Sequence, residues 1–266
     1  MEAARHGFDA IEILGEPDDL DVHSVQSRLA DTGLAVSALT AASRLATGRD
    51  LSHPDPAIRT RTLDHFKRCI DVATVLGAPV ASVTLTAVGR YWHEAGSADE
   101  RDWAIDGLAA LAAHARGTGV RIAVEVLNRY TSSIANTPAE MASLIARADG
   151  DLGLSIDLFH LVTEVRDPVR ELAAAPLVLN VQIAEADRTG PGELGSYAHR
   201  CLEALAGAGY HGAVALEAFP AGTRPYAAVE PAARPATMAF IDRYVSFVRD
   251  ALAISATDPR LDRTTA

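Results

Sequence analysis

The chain has 266 residues, 48% of them hydrophobic, enough for one sizeable core and in the usual range of a single α/β barrel. Acidic side chains outnumber basic ones by 35 to 24, and a formal charge of −11 argues against a nucleic-acid backbone or an anionic membrane surface as partner. The opening segment MEAARHGFD has no apolar leader region and no apolar run is long enough to span a bilayer, so a cytoplasmic protein is expected.

Glu2–His6 reads as a final helical turn closed by Gly7. Asp9–Leu14 is a strand, Asp21–Thr32 an amphipathic helix closed by Gly33, and Leu34–Ala42 the next strand. A polar loop through Asp50–Pro56 starts a long helix, Ala57–Leu76, ended by Gly77. Pro79–Thr86 is a strand, followed by a loop with Arg90-Tyr91-Trp92-His93 and a helix over Asp99–Gly117 capped by Ser97. After the strand Arg121–Leu127, Thr137-Pro138-Ala139-Glu140 combines a capping box with Pro at the first helical position, and that helix runs to Ala148. The strands Leu152–Leu158, Val178–Ala184 and Gly212–Phe219 alternate with helices near Pro168–Ala174 and over Ser196–Ala208. A Pro-rich loop, Pro220–Pro235, leads to a last helix, Ala236–Ala253.

Seven strands alternating with helices predict a parallel sheet, and eight would close a barrel. The expected fold is therefore a (β/α)8 TIM barrel lacking its first strand, formed by residues 1–255, with 256–266 a flexible tail. The sequence starts at an internal position, or the barrel has an open seam between Asp9–Leu14 and Gly212–Phe219. Such a seam would expose unpaired backbone, to be resolved by a longer N-terminus, by a neighbouring subunit, or by the first helix and tail folding across it; a homodimer or larger assembly, or a partner subunit, is expected. Cys69 and Cys201 sit in helical patterns without metal-type spacing and read as buried free thiols.

Four strands release an oxygen-bearing side chain at their C-terminal ends: Glu125, Asp157, Gln182 and Glu217. Parallel barrels present their ligands at that end, and four such groups can converge on one divalent metal. Structural alternatives stand beside each residue. Glu125 or Glu217 could pair with Arg129 or Arg188, Asp157 could cap a turn, His160 could be a packed histidine, and Gln182 a plain strand residue. Trp92 is either a lid over substrate or loop packing. Glu12, in the first strand, could line the pocket but is not among the expected site residues.

The segments Gly7-Phe8-Asp9-Ala10-Ile11-Glu12, Glu125-Val126-Leu127-Asn128-Arg129-Tyr130, Asp157-Leu158-Phe159-His160 and Glu185-Ala186-Asp187-Arg188 with Pro191-Gly192 follow one another in order. Together they resemble the xylose-isomerase-like TIM barrels (sugar phosphate isomerases/epimerases), and within them the ketose 3-epimerases acting on D-tagatose and D-psicose. The resemblance implies a divalent cation, usually Mn²⁺ with Mg²⁺ or Co²⁺ as substitutes, held by Glu125, Asp157, Gln182 and Glu217. It implies further that Glu125 and Glu217 transfer protons, and that His160 and Arg188, with Trp92 nearby, bind a sugar. Two positions depart from the pattern: Gln182 stands where the epimerases usually have His, and Thr131 where a substrate-gripping Glu is expected. An isomerase, a lyase (dehydratase or C-glycoside deglycosidase subunit) and a non-catalytic component of a complex remain alternatives.

Overall fold

In the computed structural model, which describes residues 2–41, 43–190, 196–219, 241 and 243–250, strands and helices alternate as the sequence predicts. The strands are β1 (Ala10–Leu14), β2 (Ala35–Ala41), β3 (Val80–Val83), β4 (Arg121–Glu125), β5 (Leu152–Asp157), β6 (Val178–Ile183) and β7 (Val214–Leu216). All pairings are parallel and run in sequence order. The helices are α1 (Glu2–Arg5), α2 (Val22–Thr32), α3 (Pro56–Leu76), α4 (Ser97–Ala115), α5 (Pro138–Ile145), α6 (Leu158–Glu164), α7 (Pro168–Ala174) and α8 (Tyr197–Gly207), and residues 243–250 are also helical. None of the described helices is long and apolar enough to cross a membrane. The expected loop Pro220–Pro235, half of the expected helix Ala236–Ala253 and the tail 256–266 lie outside the described residues, as does Pro191-Gly192.

Local chemistry sets the helix ends. Asp21, Asp55 and Ser196 accept hydrogen bonds from the first turns of α2, α3 and α8, and the Thr137–Glu140 capping box is complete. One expectation shifts: Ser97 is the first residue of α4, and Gly96 occupies the cap without a side-chain bond. Another element, α6, was not expected; it follows β5 directly because Asp157 caps it by accepting from the Phe159 N–H at 3.0 Å.

Alternation along the strands divides the core in two. Leu39, Val83, Ile122, Val124, Leu154, Ile156, Val181 and Ile183 point outward into one large cluster with the helices, including Phe66, Ile70, Leu108 and Leu111. The inward positions carry a small apolar floor of Ala38, Val80 and Ala123, packed by Leu179. Above it lie Ser82, Ser155 and Asn180, buried and polar. Glu125 stands two residues beyond Ala123, Asp157 two beyond Ser155, and Gln182 two beyond Asn180. Each therefore turns inward one layer higher, at the C-terminal mouth. A register shift between β5 and β6 brings Asp157 opposite Gln182. Gly153 permits that shift, since a Cβ there would lie 2.6 Å from the Leu177 carbonyl oxygen.

β1 and β7 do not pair with each other, as expected for an open seam. A cavity of 520 Å³ lies between them, lined by Phe8, Ile11, Val214, Leu216, Tyr244 and Val248 among others. The helix at 243–250 packs over its outer side: Tyr244 stacks on Phe8 with ring centroids 6.3 Å apart, and Arg249 Nη2 donates to the Gly7 carbonyl at 2.6 Å. Cys69 and Cys201 are free and fully buried, and burial pushes both thiols up to about 12.

Candidate active site

Glu125 closes β4, Asp157 closes β5 and Gln182 is the next-to-last residue of β6. Glu217 follows β7, whose pairing it prolongs by donating its N–H to the Ile183 carbonyl at 3.2 Å. Glu125, Gln182 and Glu217 line a cavity of 330 Å³ at the mouth, with His160 and Arg188, while Asp157 is fully buried and bonded to the lining Arg188. The four strand-end residues expected from the sequence are thus brought to one place.

Asp157 has two duties, one for each oxygen. Oδ1 caps α6, and Oδ2 faces the site, 3.6 Å from His160 Nε2 and bonded to Arg188 Nη1. His160 Nε2 is also 4.0 Å from Glu125 Oε1, and the ligating atoms of Glu125, Asp157 and His160 all lie within 4.8 Å of one another. The backbone N–H of Asn128 donates to His160 Nδ1 at 3.4 Å, so the neutral ring carries its proton on Nε2, the atom aimed at the carboxylates. Burial lowers the His160 pKa and favours this neutral form.

Arg188 reaches the site from a tight turn. Its own φ is +65°, a left-handed conformation uncommon for a side chain of this size. The turn is held by the Arg188 N–H on the Glu185 carbonyl and the Phe219 N–H on the Arg188 carbonyl, both 2.9 Å. The guanidinium lies 4.5 Å from the Phe159 ring centroid, bridges Asp157, and donates from Nη2 to Glu217 Oε1 at 2.9 Å.

The site holds a surplus of negative charge. Burial, then the charges of Glu217 and Asp157, push the Glu125 carboxyl well above the ordinary range despite Arg188. Burial, then Asp157, push Glu217 up to about 8, against the opposing pull of Arg188 and Arg44. Gln182 Nε2 donates to Glu12 Oε1 at 2.7 Å, whereas Gln182 Oε1 is buried and has no hydrogen-bond partner among the described residues. Converging carboxylates short of positive charge, beside a carbonyl oxygen with an unused lone pair, fit a divalent cation bound through oxygen.

Other expected groups fall elsewhere. Arg129 pairs with Glu164, not with Glu125. Trp92 does not line the mouth cavity; its ring meets Tyr91 edge-on at 5.2 Å, and its carbonyl accepts from Arg90. The Thr131 hydroxyl donates to the Asn128 carbonyl at 3.0 Å. The cavity also takes Glu12, Thr40 and Arg44, which were not expected. Glu12 had one sequence signal, a carboxylate between isoleucines in a strand; Arg44 had none.

Comparison with known proteins finds relatives of one family. A family described as "Xylose isomerase-like TIM barrel" matches residues 1–242. A ketose 3-epimerase of Arthrobacter globiformis is 30% identical over 223 residues, 80% of this chain and 74% of that one. An L-ribulose 3-epimerase of Mesorhizobium japonicum is 29% identical, over 80% of this chain and 72% of its own. The crystal structure of D-allulose 3-epimerase from Methylomonas sp. in complex with D-allulose superposes with a TM-score of 0.81 at 24% identity, covering 94% of this chain and 88% of that one, a likeness of fold.

Proposed function

The chain belongs to the xylose isomerase-like TIM barrel family, and on that premise we propose that it is a metal-dependent sugar epimerase that moves a proton at the carbon next to a ketose carbonyl, C3. The observation that carries the reading is the pair of carboxyls, buried Glu125 and half-buried Glu217, at one mouth with Asp157 and the carbonyl of Gln182, which has no hydrogen-bond partner among the described residues. Both similar enzymes named above are epimerases, and neither supports the lyase or non-catalytic alternative. The two buried free thiols are in keeping with a reducing compartment such as the cytoplasm.

Glu125, Asp157, Gln182 and Glu217 would hold the cation, and all-oxygen donors favour Mn²⁺ or Mg²⁺. Bound there, such an ion would supply Lewis acidity to the substrate carbonyl, so that the neighbouring C–H becomes acidic. Of the two glutamates, one takes the C3 proton and the other returns a proton to the opposite face. His160 Nε2–H and the Arg188 fork donate to sugar oxygens and hold the chain of hydroxyls in register.

Thr131 brings no carboxylate to the substrate end, and its hydroxyl is already engaged by Asn128. A ketohexose should therefore be gripped weakly. Epimer formation, followed by chromatography over a panel of ketoses with Mn²⁺ or with chelator, should be metal-dependent and poor for D-fructose and D-psicose relative to another ketose. Fructose–psicose interconversion at about 1–10³ s⁻¹ contradicts the substrate reading, and turnover insensitive to chelation contradicts the metal.

We extend the proposal to assembly. The edges of β1 and β7, which pair with no other strand among the described residues, and the cavity between them favour a homodimer or larger. Sedimentation at micromolar concentration should give at least twice the chain mass of 28.0 kDa; a monomer contradicts it.

A further inference from the structure

Glu12 sits on β1, far from Gln182 in sequence, yet their side chains meet inside the barrel. Gln182 Nε2 donates to Glu12 Oε1 at 2.7 Å, Asn180 Nδ2 to Glu12 Oε2 at 3.4 Å, and the Thr40 hydroxyl to Glu12 Oε1. Asn180 is itself steadied by Nδ2 donating to Ser155 Oγ at 3.2 Å.

A carboxamide differs from every other ligand in this site. One edge accepts and the other donates, and the two have nearly the same shape. Only the oxygen edge can bind a cation; the NH2 edge would present hydrogens to it. A half-turn about the last side-chain bond exchanges them, so a glutamine ligand needs something to choose its orientation. Both Glu12 oxygens already accept, from Thr40, Asn180 and Gln182, so Glu12 meets the amide as an acceptor and admits only the NH2 edge.

Resting on the reading that Gln182 is a metal ligand, we propose that Glu12 is a positioning residue that locks the Gln182 amide with its NH2 down against β1 and its carbonyl oxygen toward the cation. The buried Gln182 Oε1, without a partner among the described residues, is the mark of that lock. The Thr40 hydroxyl, a donor lining the same cavity, is spent on Glu12. Asn180 and Thr40 fix the carboxylate as it fixes the amide, which is how groups behind metal ligands commonly act.

The test is Mn²⁺ binding, read from the electron paramagnetic resonance of free Mn²⁺, in Glu12→Gln. That substitution keeps the volume but can donate as well as accept, so the choice of orientation is lost. The dissociation constant should rise about 10–100-fold. In a Gln182→Ala background the same substitution should change it less than about twofold, because the coupling runs through Gln182. Should Glu12→Gln fail to fold, Glu12→Asp, which keeps the charge and draws it back by one methylene, should show a loss of the same sign. Unchanged affinity in Glu12→Gln overturns the proposal. So does an equal loss in both backgrounds, which would mark a merely structural role. Absence of Mn²⁺ binding by the wild-type protein would overturn the metal reading itself, and the lock with it.

Discussion

Replacing Glu125 or Glu217 by glutamine is expected to lower kcat by about 10²–10⁴, the usual contribution of a positioned acid or base. The substitution preserves size and can still offer an oxygen to a metal, so the lost function is proton transfer. Both residues are also proposed ligands, and metal content must be measured alongside turnover. Glu217 has a second consequence: it is one of two carboxylates bridged by Arg188, so its loss leaves that guanidinium on Asp157 alone. A higher KM should therefore accompany the lower kcat in Glu217→Gln more than in Glu125→Gln. Sustained turnover by a metal-loaded Glu125→Gln, Glu217→Gln double variant contradicts the assignment.

The largest effect on stability is expected at Asp50. Arg90 is 1% exposed, and its guanidinium donates to Asp50 at 2.6 Å from Nε, to Glu100 at 2.9 Å and the Trp92 carbonyl at 2.8 Å from Nη1, and to Ser52 Oγ. Asp50 also accepts from the N–H of Ala87 at 3.0 Å and of Ser52 at 2.9 Å. Burial would raise the Glu100 carboxyl, but the Ala95 N–H, His93, Arg90 and the Glu94 N–H together hold it below its ordinary value. One buried cation thus ties the loops after β2 and β3 to the start of α4. Asp50→Ala strands part of that charge, and breaking a buried pair from one side costs about 3–5 kcal/mol. Urea unfolding should show the loss; less than about 1 kcal/mol would mean that Arg90 finds water or another acceptor.

Most of the barrel could be read from the chain because its strands alternate in and out and its helices carry their caps in sequence. The four mouth residues were legible for the same reason: each interrupts an apolar run at the end where a parallel barrel opens. What was hidden depends on partners distant in sequence. Arg90, beside Tyr91 and Trp92, reads like a substrate loop, and only Asp50 and Glu100 reveal a buried strut. Glu12 reads as a strand-end carboxylate until β6 curls round to meet it. The strand expected over Pro79–Thr86 ends at Val83 because Thr84 and Thr86 turn to serine partners: Thr84 lies 2.8 Å from Ser43 Oγ and Thr86 donates to Ser132 Oγ at 2.9 Å. The helix over Leu158–Glu164 is too short for an apolar period and owes its start to Asp157.

The central claim is that two carboxylates serve the two faces of one carbon. It is tested most directly by letting the Mn²⁺-loaded enzyme turn over its best ketose in D₂O and locating deuterium in the product by NMR. A glutamate that returns a proton it did not remove must first exchange with solvent. The account predicts that the epimer formed carries one deuterium, at C3 and at no other carbon. Epimer formed with its C3 hydrogen retained, or with deuterium at C1, would contradict it.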